Sequence, residues 1–248
     1  MQISATVITL NEEKNIQACV KNLLQVCDEV LVLDSQSQDQ TQALARQAGA
    51  TVVEQAYLGD GPQKAFAAQQ AKFDWVLSID ADERLDEELI QSINEFKNSQ
   101  PKHSHYAINR KTYIGDEWAK VWYPDYVIRL YDKQRAAYQA IKGHSEVQGE
   151  SLGRVKGHIL HFSYESYLDM IKRIPKFSGR GAEMLIDKNK SIGYFSPMTH
   201  GMSAFFRKYI AKKGFLHGSM GLTVSVITAF GTFMKYAMAR QAQQKKQS

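Results

Sequence analysis

A chain of 248 residues and 28.1 kDa, with 44% hydrophobic and 23% charged residues, is long enough for one large core or two smaller ones. This composition excludes collagen-like, disordered and disulfide-stapled proteins. Two cysteines, Cys19 and Cys27, are too few for a disulfide framework or a zinc site, so we expect structural thiols in a reducing, cytoplasmic compartment. The opening residues lack a basic segment followed by an apolar run, so no secretory signal is predicted.

The first hundred residues alternate between predicted strands and helices. Short β-branched apolar runs predict strands at 3–10, 29–33, 50–54 and 75–79. Polar openings and a closing glycine predict helices at 11–26, 41–48, 63–71 and 86–97. Strands that alternate with helices pair in parallel through right-handed crossovers, so we expect an α/β protein with a mostly parallel sheet.

Polar side chains follow several of these strands at the point where each strand ends. They are Asn11, Glu12, Asp34, Asp80 and Asp82. Ligands of open parallel sheets bind beyond the carboxyl ends of the strands, so these side chains are expected around one crevice. The loop GDGPQK matches neither the dinucleotide fingerprint nor the Walker A loop, which disfavours dinucleotide and ATP binding.

Asp80-Ala81-Asp82 is the sharpest local pattern. Two carboxylates at the exit of a buried strand can hold Mg²⁺ or Mn²⁺, which prefer oxygen ligands and often bridge protein to diphosphate. The alternative is helix capping, because Asp82 and Glu83 also suit the first turn of the following helix. The position after a strand series that includes Asp34 favours the metal site.

Three segments, TLNEEKNI, LVLDSQSQDQT and WVLSIDADE, resemble in this order the family-2 glycosyltransferases over residues 1–97. The WYPDYVIRLYDK, GHSEV, HFSY and GFLHG segments are similar more narrowly to lipopolysaccharide inner-core β-glucosyltransferases. The resemblance implies a GT-A fold, a Rossmann-like nucleotide-diphospho-sugar transferase fold, with a C-terminal helical membrane-associating region. It also implies a metal-dependent, inverting transfer of a sugar, usually from UDP-glucose, to a growing lipid-linked glycan.

The resemblance assigns expected roles at the donor site. Asn11 and Glu12 would lie near the nucleoside, and Asp34 would contact the uracil. Lys64 would neutralise phosphate charge. These roles are implied by the resemblance alone, because the spacing of the residues does not assign them.

For the D-x-D pattern the resemblance implies that Asp80 faces the ribose or the metal and that Asp82 binds the metal, Mg²⁺ or Mn²⁺. Two departures from the family are visible. Ser35 follows the second strand where many members carry a second aspartate, and this difference has little effect on the expected reaction. His217 stands where related sequences often have aspartate, which puts any acidic role at that position in doubt.

The stretch 101–165 is rich in aromatic side chains, which can serve as platforms for the apolar faces of sugars. Trp118 and Trp122 are candidates for the acceptor cleft, although such rings also build β-rich cores. Arg129 and Arg173 are candidates for contacts with acceptor phosphate. The alternative for both arginines is a surface or structural ion pair.

An inverting displacement requires one general base that takes the proton of the acceptor hydroxyl. Glu146 is the first candidate and Asp125 the second. His144 and His161 are candidates for a metal shell or for phosphate binding, and His161 is the one we place at the metal. The alternative is that each histidine is structural.

Charge is uneven along the chain. Asp187 is the last acidic residue, and 188–248 carries ten Lys/Arg, which leaves a net −5 on 1–187. A basic tail indicates an anionic partner surface, with a solvated helix face as the alternative.

Uncharged residues 214–234 place apolar side chains three or four residues apart, which predicts an amphipathic helix in the headgroup plane. The predicted apolar stripe comprises Leu216, Met220, Val224, Ile227, Phe230 and Met234. A buried helix and a spanning helix are the alternatives.

Three regions follow: a nucleotide-sugar-binding half at 1–100, an acceptor-binding half at 101–165 and a basic helical region at 166–248. The expected protein is a peripheral glycosyltransferase on the cytoplasmic side of the bacterial inner membrane. Its partners would be a UDP-sugar, a lipid-linked glycan and an anionic membrane surface, with no nucleic acid. The alternatives are transfer to polyprenyl phosphate or another glycan, a nucleic-acid-binding protein that uses the basic tail, and an inactive or donor-hydrolysing relative.

Overall fold

A computed structural model describes residues 1–139, 146–188 and 190–247. The candidate His144 lies outside these residues. The strands are β1 (Ile3–Thr9), β2 (Glu29–Asp34), β3 (Thr51–Glu54), β4 (Trp75–Asp80), β5 (Glu83–Leu85), β6 (His105–Ile114), β7 (Glu117–Trp118), β8 (Tyr126–Asp132), β9 (Ala136–Tyr138), β10 (Val147–Gly149) and β11 (Leu152–Tyr164). The helices are α1 (Ile16–Leu23), α2 (Thr41–Gln47), α3 (Asp60–Gln70), α4 (Glu87–Lys97), α5 (Tyr167–Asp187), α6 (Ser196–Phe206) and α7 (Gly218–Gln247).

The central sheet has a parallel half and an antiparallel half. In the described residues its strand order is β3-β2-β1-β4-β8-β6-β11-β5, with β7 paired to β6. β1 pairs in parallel with β2 and β4, and β2 pairs in parallel with β3. Antiparallel pairing begins where β4 meets β8. All four predicted strand–helix units form, which confirms the predicted α/β class.

The first helix starts later than the sequence predicts. Asn11 adopts a φ of 55°, in the left-handed region that cannot continue a right-handed helix. The chain therefore turns before α1 begins at Ile16. This turn leaves Asn11 and Glu12 in a loop, directly after β1.

Apolar burial explains the parallel half. β1 and β2 are buried almost along their whole length, as expected for strands covered by helices on both faces. Cys19 on α1 packs into this core, where burial raises the pKa of its thiol to about 12. Cys27 is also buried, and burial raises its pKa further. Both thiols are structural, as expected.

By packing, the chain divides into two compact units. The first unit comprises 1–111 and 124–162, and the second comprises 112–123 and 163–248. The first unit holds the parallel strands and α1–α4. The second unit holds the three C-terminal helices together with the short β7 segment. The predicted division into three functional regions stays a prediction.

The long strand β11 is held against α4 and β5 within the first unit. Gly157 has a φ of 89°, and a Cβ there would collide with the backbone of Leu89. The amide of His158 donates to Asp86 Oδ1 at 2.9 Å, and the same oxygen caps Leu89 N. Register with β5 then sets His161 opposite Glu83.

In the second unit α7 packs against both α5 and α6. The predicted lipid-facing stripe of α7 is wrong for its central positions. Val224 is fully buried, and Met220 and Ile227 pack with it against Met170 of α5. The helices that precede α7 cover this face, and periodicity alone does not reveal which neighbours a stripe meets.

Candidate active site

The carboxyl ends of three parallel strands lie side by side. Thr9 at the end of β1 is opposite Asp34 at the end of β2, and Ile8 is opposite Asp80 at the end of β4. Asp34 and Asp80 therefore sit at one edge of the sheet, as the strand–helix pattern predicts. This edge is the candidate site.

Asp34 is completely buried and accepts four hydrogen bonds. Its donors are the Thr9 hydroxyl at 2.9 Å, Ser37 N at 2.9 Å, the Ser37 hydroxyl at 2.5 Å and Gln42 Nε2 at 2.8 Å. A carboxylate has about four acceptor positions, so these donors occupy its capacity. Asp34 holds the loop after β2 in place. Its predicted contact with uracil stays a prediction and would require the exchange of one of these bonds.

Asn11 and Glu12 connect the loop after β1 to neighbouring segments. The exposed Asn11 accepts from Gln38 N through Oδ1 at 2.8 Å, which ties it to the loop after β2. Glu12 donates its backbone N–H to Thr41 at 2.8 Å and accepts from Asn15 Nδ2 at 2.9 Å. Both residues shape the rim of the site, and their contacts with a nucleoside stay predictions.

Asp80 carries the strongest electrostatic signal of the site. Its Oδ1 lies 3.0 Å from Lys64 Nζ, and its Oδ2 lies 2.6 Å from Arg129 Nη2. Burial acts to raise the pKa of Asp80, but Arg129 and Lys64 outweigh it and hold the pKa far below its usual range. The side chain is still 28% exposed, so a ligand can reach a carboxylate that is ionised at neutral pH.

Lys64 is already paired with carboxylates. Besides Asp80, it lies 3.4 Å from Asp60 Oδ1 on the same helix. Burial and Arg129 act to lower the pKa of Lys64, but the negative charges, first of all Asp80, prevail and the pKa is raised. A contact between Lys64 and phosphate stays a prediction. The half-exposed Asp60 is the partner that phosphate would replace most easily.

Arg129 is held by carboxylates, and its predicted contact with acceptor phosphate stays a prediction. It is 5% exposed, and its Nη2 donates to both Asp80 and Glu83, the latter at 2.7 Å. Burial acts to lower the pKa of Arg129, but these carboxylates raise it well above its ordinary value. The structural ion pair, the alternative drawn from the sequence, is what the structure shows. The sequence signal was an arginine inside an apolar strand, VIRLY.

Glu83 and Arg110 are the two site residues that sequence reasoning missed. Glu83 lies in β5 rather than in a helix cap, and it is fully buried. Its Oε1 receives Arg129 and, at 3.2 Å, Arg110, while its Oε2 accepts the backbone N–H of Asp80 at 3.0 Å. Glu83 thereby fixes the two arginines and also the main chain that carries Asp80.

Asp125, the second candidate base, is held by Arg110. The guanidinium approaches Asp125 Oδ2 through Nε at 2.9 Å and Nη2 at 2.8 Å. The carboxylate is 31% exposed, so it can be reached from solvent. A proton from a substrate would have to go to its other oxygen. Its role as base stays a prediction.

Glu146, the first candidate base, directly precedes β10. Its side chain is exposed, and its negative charge acts to raise the pKa of His105. Burial and the neighbouring His103 outweigh this charge, so the pKa of His105 is lowered. The Glu146 carbonyl accepts from Gln139 N at 3.1 Å, next to Tyr138 of β9, whose ring centre lies 6.0 Å from Lys64 Nζ. The assignment of Glu146 stays a prediction.

Asp82 and His161 form a pair that fits a divalent cation. Asp82 Oδ2 lies 3.3 Å from His161 Nε2, and the side chains are 24% and 16% exposed. Two ligands of one cation are separated by about 3 Å when each lies near 2.1 Å from the ion. A carboxylate with an imidazole suits Mn²⁺ better than Mg²⁺, which favours oxygen alone. The donor set and its access therefore fit the expected metal.

A second group of possible metal ligands is structural. Ligand atoms of Asp86, Glu88 and His158 all lie within 4.8 Å of one another. However, Asp86 accepts from Leu89 N at 2.9 Å as the N-cap of α4. It also lies 2.9 Å from His158 Nδ1. These bonds fix β11 on α4 and leave the Asp82 pair as the better metal candidate.

The two tryptophans proposed for acceptor binding belong to the second unit. Trp118 meets Tyr123 edge to face, with ring centres 5.2 Å apart, and Trp122 packs against an apolar cluster. Both acceptor roles stay predictions. Arg173 lies 2.8 Å from Asp169 one turn away on α5, which is the structural pair considered as its alternative.

Comparison with known proteins identifies the family. The sequence model described as "Glycosyl transferase family 2" matches residues 4–161, more than half of the chain. An uncharacterized glycosyltransferase of Rickettsia felis is 30% identical over 97% of this chain and 90% of its own length. The lipopolysaccharide core biosynthesis glycosyltransferase LpsC of Rhizobium meliloti is 27% identical over 96% of this chain and 94% of its own.

Among solved structures, S. aureus TarS 1–349 is 13% identical, covering 99% of this chain and 92% of its own, with a TM-score of 0.49. The family match, together with the parallel sheet and the carboxylates at its edge, defines the class of protein. The chain belongs to glycosyltransferase family 2 and has the GT-A fold. The resemblance noted from three sequence segments is therefore confirmed.

Proposed function

We propose that this glycosyltransferase moves a hexose, with UDP-glucose as the first candidate donor, onto the inner core of lipopolysaccharide or lipooligosaccharide. The observation that carries the proposal is the Asp82–His161 pair beside the ionised Asp80 at the carboxyl edge of the parallel strands. Similarity to LpsC over nearly the full length of both chains supports the acceptor class. The enzyme would work as a peripheral protein on the cytoplasmic side of the inner membrane.

The donor would bind at the sheet edge. Asp82 and His161 would hold Mn²⁺ or Mg²⁺, which when bound supplies positive charge opposite the diphosphate of the nucleotide sugar. Asp80 would orient the ribose through an oxygen shared with Lys64 or Arg129. Because burial and two cations fix its side chain, it would meet the ligand with little loss of conformational freedom.

The proposed reaction is a single in-line displacement. The acceptor hydroxyl oxygen attacks the anomeric carbon, while the bond from that carbon to the diphosphate oxygen breaks and UDP leaves with the electron pair. The hydroxyl proton passes to a carboxylate base, Glu146 or Asp125. An α-linked donor then gives a β-linked product.

A thermal-unfolding titration of the full chain tests the donor site. UDP, GDP, CMP and TDP are compared, each with and without Mn²⁺. A nucleotide at 100 times its dissociation constant raises the free energy of unfolding by about 2.7 kcal/mol. We expect this shift for UDP with Mn²⁺, and we expect Asp82→Ala and His161→Ala to lose it. Asp74→Asn, next to the opposite end of β4, is the control and keeps the shift. No shift with any nucleotide would refute the donor assignment.

A transfer assay then tests the acceptor and the base. Lipopolysaccharide inner-core acceptors and polyprenyl phosphate are offered with UDP-glucose, and the linkage of the product is read by NMR. We expect a β-linked product on the inner core alone. Glu146→Gln and Asp125→Asn are compared, and the true base is the one whose loss lowers kcat by about 10²–10⁴ while nucleotide binding is retained. Product on polyprenyl phosphate alone would overturn the acceptor class and leave the donor site intact.

A further inference from the structure

The second unit exposes two apolar stripes that its own packing does not cover. The exposed side chains follow one another at intervals of four residues, so each set lies on one face of a helix. They are Met198, Met202, Phe206 and Ile210 on α6 and the helical turn that follows it, and Leu222, Val226 and Phe230 on α7. Each is between 44% and 57% exposed. Exposed apolar patches of this kind mark interaction surfaces.

The two stripes open onto one groove. A cavity of about 450 Å³ lies between α6 and α7, and its lining includes Met202, Phe206, Val226 and Phe230. Gly201 allows the helices to come close, because a Cβ there would lie 3.2 Å from Phe233 Cβ. No charged side chain lines this groove among the residues that the structure describes. We call the stripes and this groove the α6–α7 face.

Aromatic and basic side chains flank the α6–α7 face. Tyr194 and Phe195, just before α6, are 70% and 72% exposed. Arg207, Lys212 and Lys213 follow α6 directly and are also exposed. The whole segment after Asp187 has ten Lys/Arg and no acidic residue. Aromatic rings and lysines beside an apolar strip are the arrangement of a surface that lies in a lipid headgroup layer.

This charge distribution decides which partner the face suits. Pairing with a second copy of the chain would bring two wholly basic segments together with no acidic side chain between them, which like-charge repulsion opposes. Nucleic acid would satisfy the positive charge but would leave the groove and its exposed methionines and phenylalanines in water. An anionic phospholipid membrane satisfies both features at once.

The packing of α7 argues for a helix that lies on the membrane. By length and composition alone, Gly214–Lys245 is the one stretch of helix among the described residues that could cross a bilayer. However, Ser178 of α5 donates to the Gly231 carbonyl at 2.8 Å, and Lys235 lies against Gly181 of the same helix. Insertion of α7 would strip away α5, which carries acidic and basic side chains that cannot enter hydrocarbon.

We propose that the α6–α7 face is the membrane-binding surface of the enzyme and that it docks in the plane of an anionic phospholipid leaflet. Met198, Met202, Phe206, Val226 and Phe230 enter the acyl boundary, and the lysines and arginines beside them contact lipid phosphate. The inference deepens the proposed function, because it names the surface that brings the enzyme to a lipid-linked acceptor. Lipid binding itself requires neither donor nor turnover.

Vesicle flotation of the full chain tests the proposal. Vesicles of phosphatidylglycerol and phosphatidylcholine are compared with phosphatidylcholine alone, in the absence of any nucleotide. We expect the wild type to float with the anionic vesicles and to partition at least tenfold more weakly after Met202→Glu/Phe206→Glu. Leu152→Glu, at a similarly exposed leucine of the first unit, is the matched control and leaves partitioning unchanged. Equal flotation of wild type and double variant would overturn the proposal, as would no flotation of the wild type.

A fluorescence measurement checks whether the α6–α7 face enters the membrane, and it does not introduce a charged side chain. Because Cys19 and Cys27 are buried, a cysteine introduced at Met202 or at Leu152 can be labelled selectively with an environment-sensitive dye. We expect a blue shift with anionic vesicles for the label at 202 and none for the label at 152. A blue shift at 202 that grows with protein concentration in the absence of vesicles would assign the face to a dimer instead. Quenching by DNA with no effect of vesicles would assign it to nucleic acid. A failed transfer reaction with intact flotation would refute the proposed acceptor but not this surface.

Discussion

The first unit encloses charged side chains, whereas the second unit leaves large apolar side chains in contact with solvent. In the first, Glu83 and Arg129 are 0% and 5% exposed and are neutralised by each other and by their neighbours. In the second, Met198 and Phe206 are more than half exposed, although Val224 on α7 is completely buried. The first unit therefore holds paired charges in its interior, whereas the second carries exposed apolar side chains in continuous helical stripes.

The difference separates two kinds of recognition. Buried charges are costly unless they are paired, so the ion-pair cluster of the first unit must be held in a defined geometry, which a donor site needs. Exposed apolar side chains require no defined geometry, and they become favourable only when another apolar phase covers them. On the proposals made above, the first unit would orient a ligand and the second would join a surface.

The largest expected effect is the protection of the two native cysteines in the first unit. Cys19 is fully buried, and burial raises the pKa of its thiol to about 12, so thiol reagents can attack only after the protein opens. Native stabilities of 5–15 kcal/mol imply a reaction slower by a factor of about 10⁴ or more than in urea. Thiol titration with a chromogenic disulfide measures this. In the Met202→Cys variant one additional thiol should react at once, and slow reaction there would contradict the exposed face.

Removal of one buried guanidinium should cause the next largest effect, a loss in the free energy of unfolding. Arg129→Ala leaves Glu83 and Asp80 without their shared cation, and breaking a buried pair in this way costs about 3–5 kcal/mol. Urea denaturation measures the free energy of unfolding. The control is Arg135→Ala, whose pair with Glu150 is exposed and should contribute little. Equal losses for the two variants would mean that the cluster around Asp80 is not a buried ion-pair network.

Within the second unit, substitutions at buried and at exposed apolar positions of α6 and α7 should have clearly different effects on the free energy of unfolding. Val224→Ala removes two buried methyl groups and should lower the free energy of unfolding by roughly 2 kcal/mol. Met202→Ser should change it by less than about 0.5 kcal/mol, because the side chain is already exposed to water. Thermal melts of both variants without lipid provide the comparison. A large loss for Met202→Ser would show that this methionine is covered in solution.

The last effect expected, which appears only in acid, is a change in the pH dependence of stability. The pKa of Asp80 is lower in the folded protein than its unfolded value of about 3.9, so its contribution is complete above that value and is lost as the pH falls through the lowered folded pKa. In Asp80→Asn this component is absent, and the free energy of unfolding should fall less steeply between pH 5 and pH 2. Urea titrations at several pH values measure the slope. Parallel curves for the two proteins would contradict the lowered pKa.

The sequence predicted the parallel strand–helix part of the fold well, because local patterns govern it. Each predicted strand–helix unit is short, its apolar period is clear, and residues such as Asp34 and Asp80 follow a strand directly. Parallel pairing then brings the strand ends together without further information. The family could also be recognised from the same three segments.

The partners of the charged residues could not be predicted. Glu83 looked like a helix cap because five acidic residues cluster between 82 and 88, yet antiparallel pairing with β11 keeps it in a strand. Arg110 gave no signal, since its position in β6 opposite the loop that carries Asp125 depends on long-range register. The prediction for the inward face of α7 was wrong for the same reason. The stripe through Val224 is apolar whether protein or lipid covers it.

The pairing of β11 with β5 also governs when the candidate metal pair can exist during synthesis. Asp82 leaves the ribosome long before His161, and only the docking of β11 beside Gly157 and Leu89 sets the imidazole next to the carboxylate. Closing such a long loop is slow and comes after the local strand–helix units have formed. A nascent chain that stops before β11 can therefore possess the parallel strands and still have no metal pair. Before β11 docks, the candidate metal site therefore has its carboxylate but lacks its imidazole.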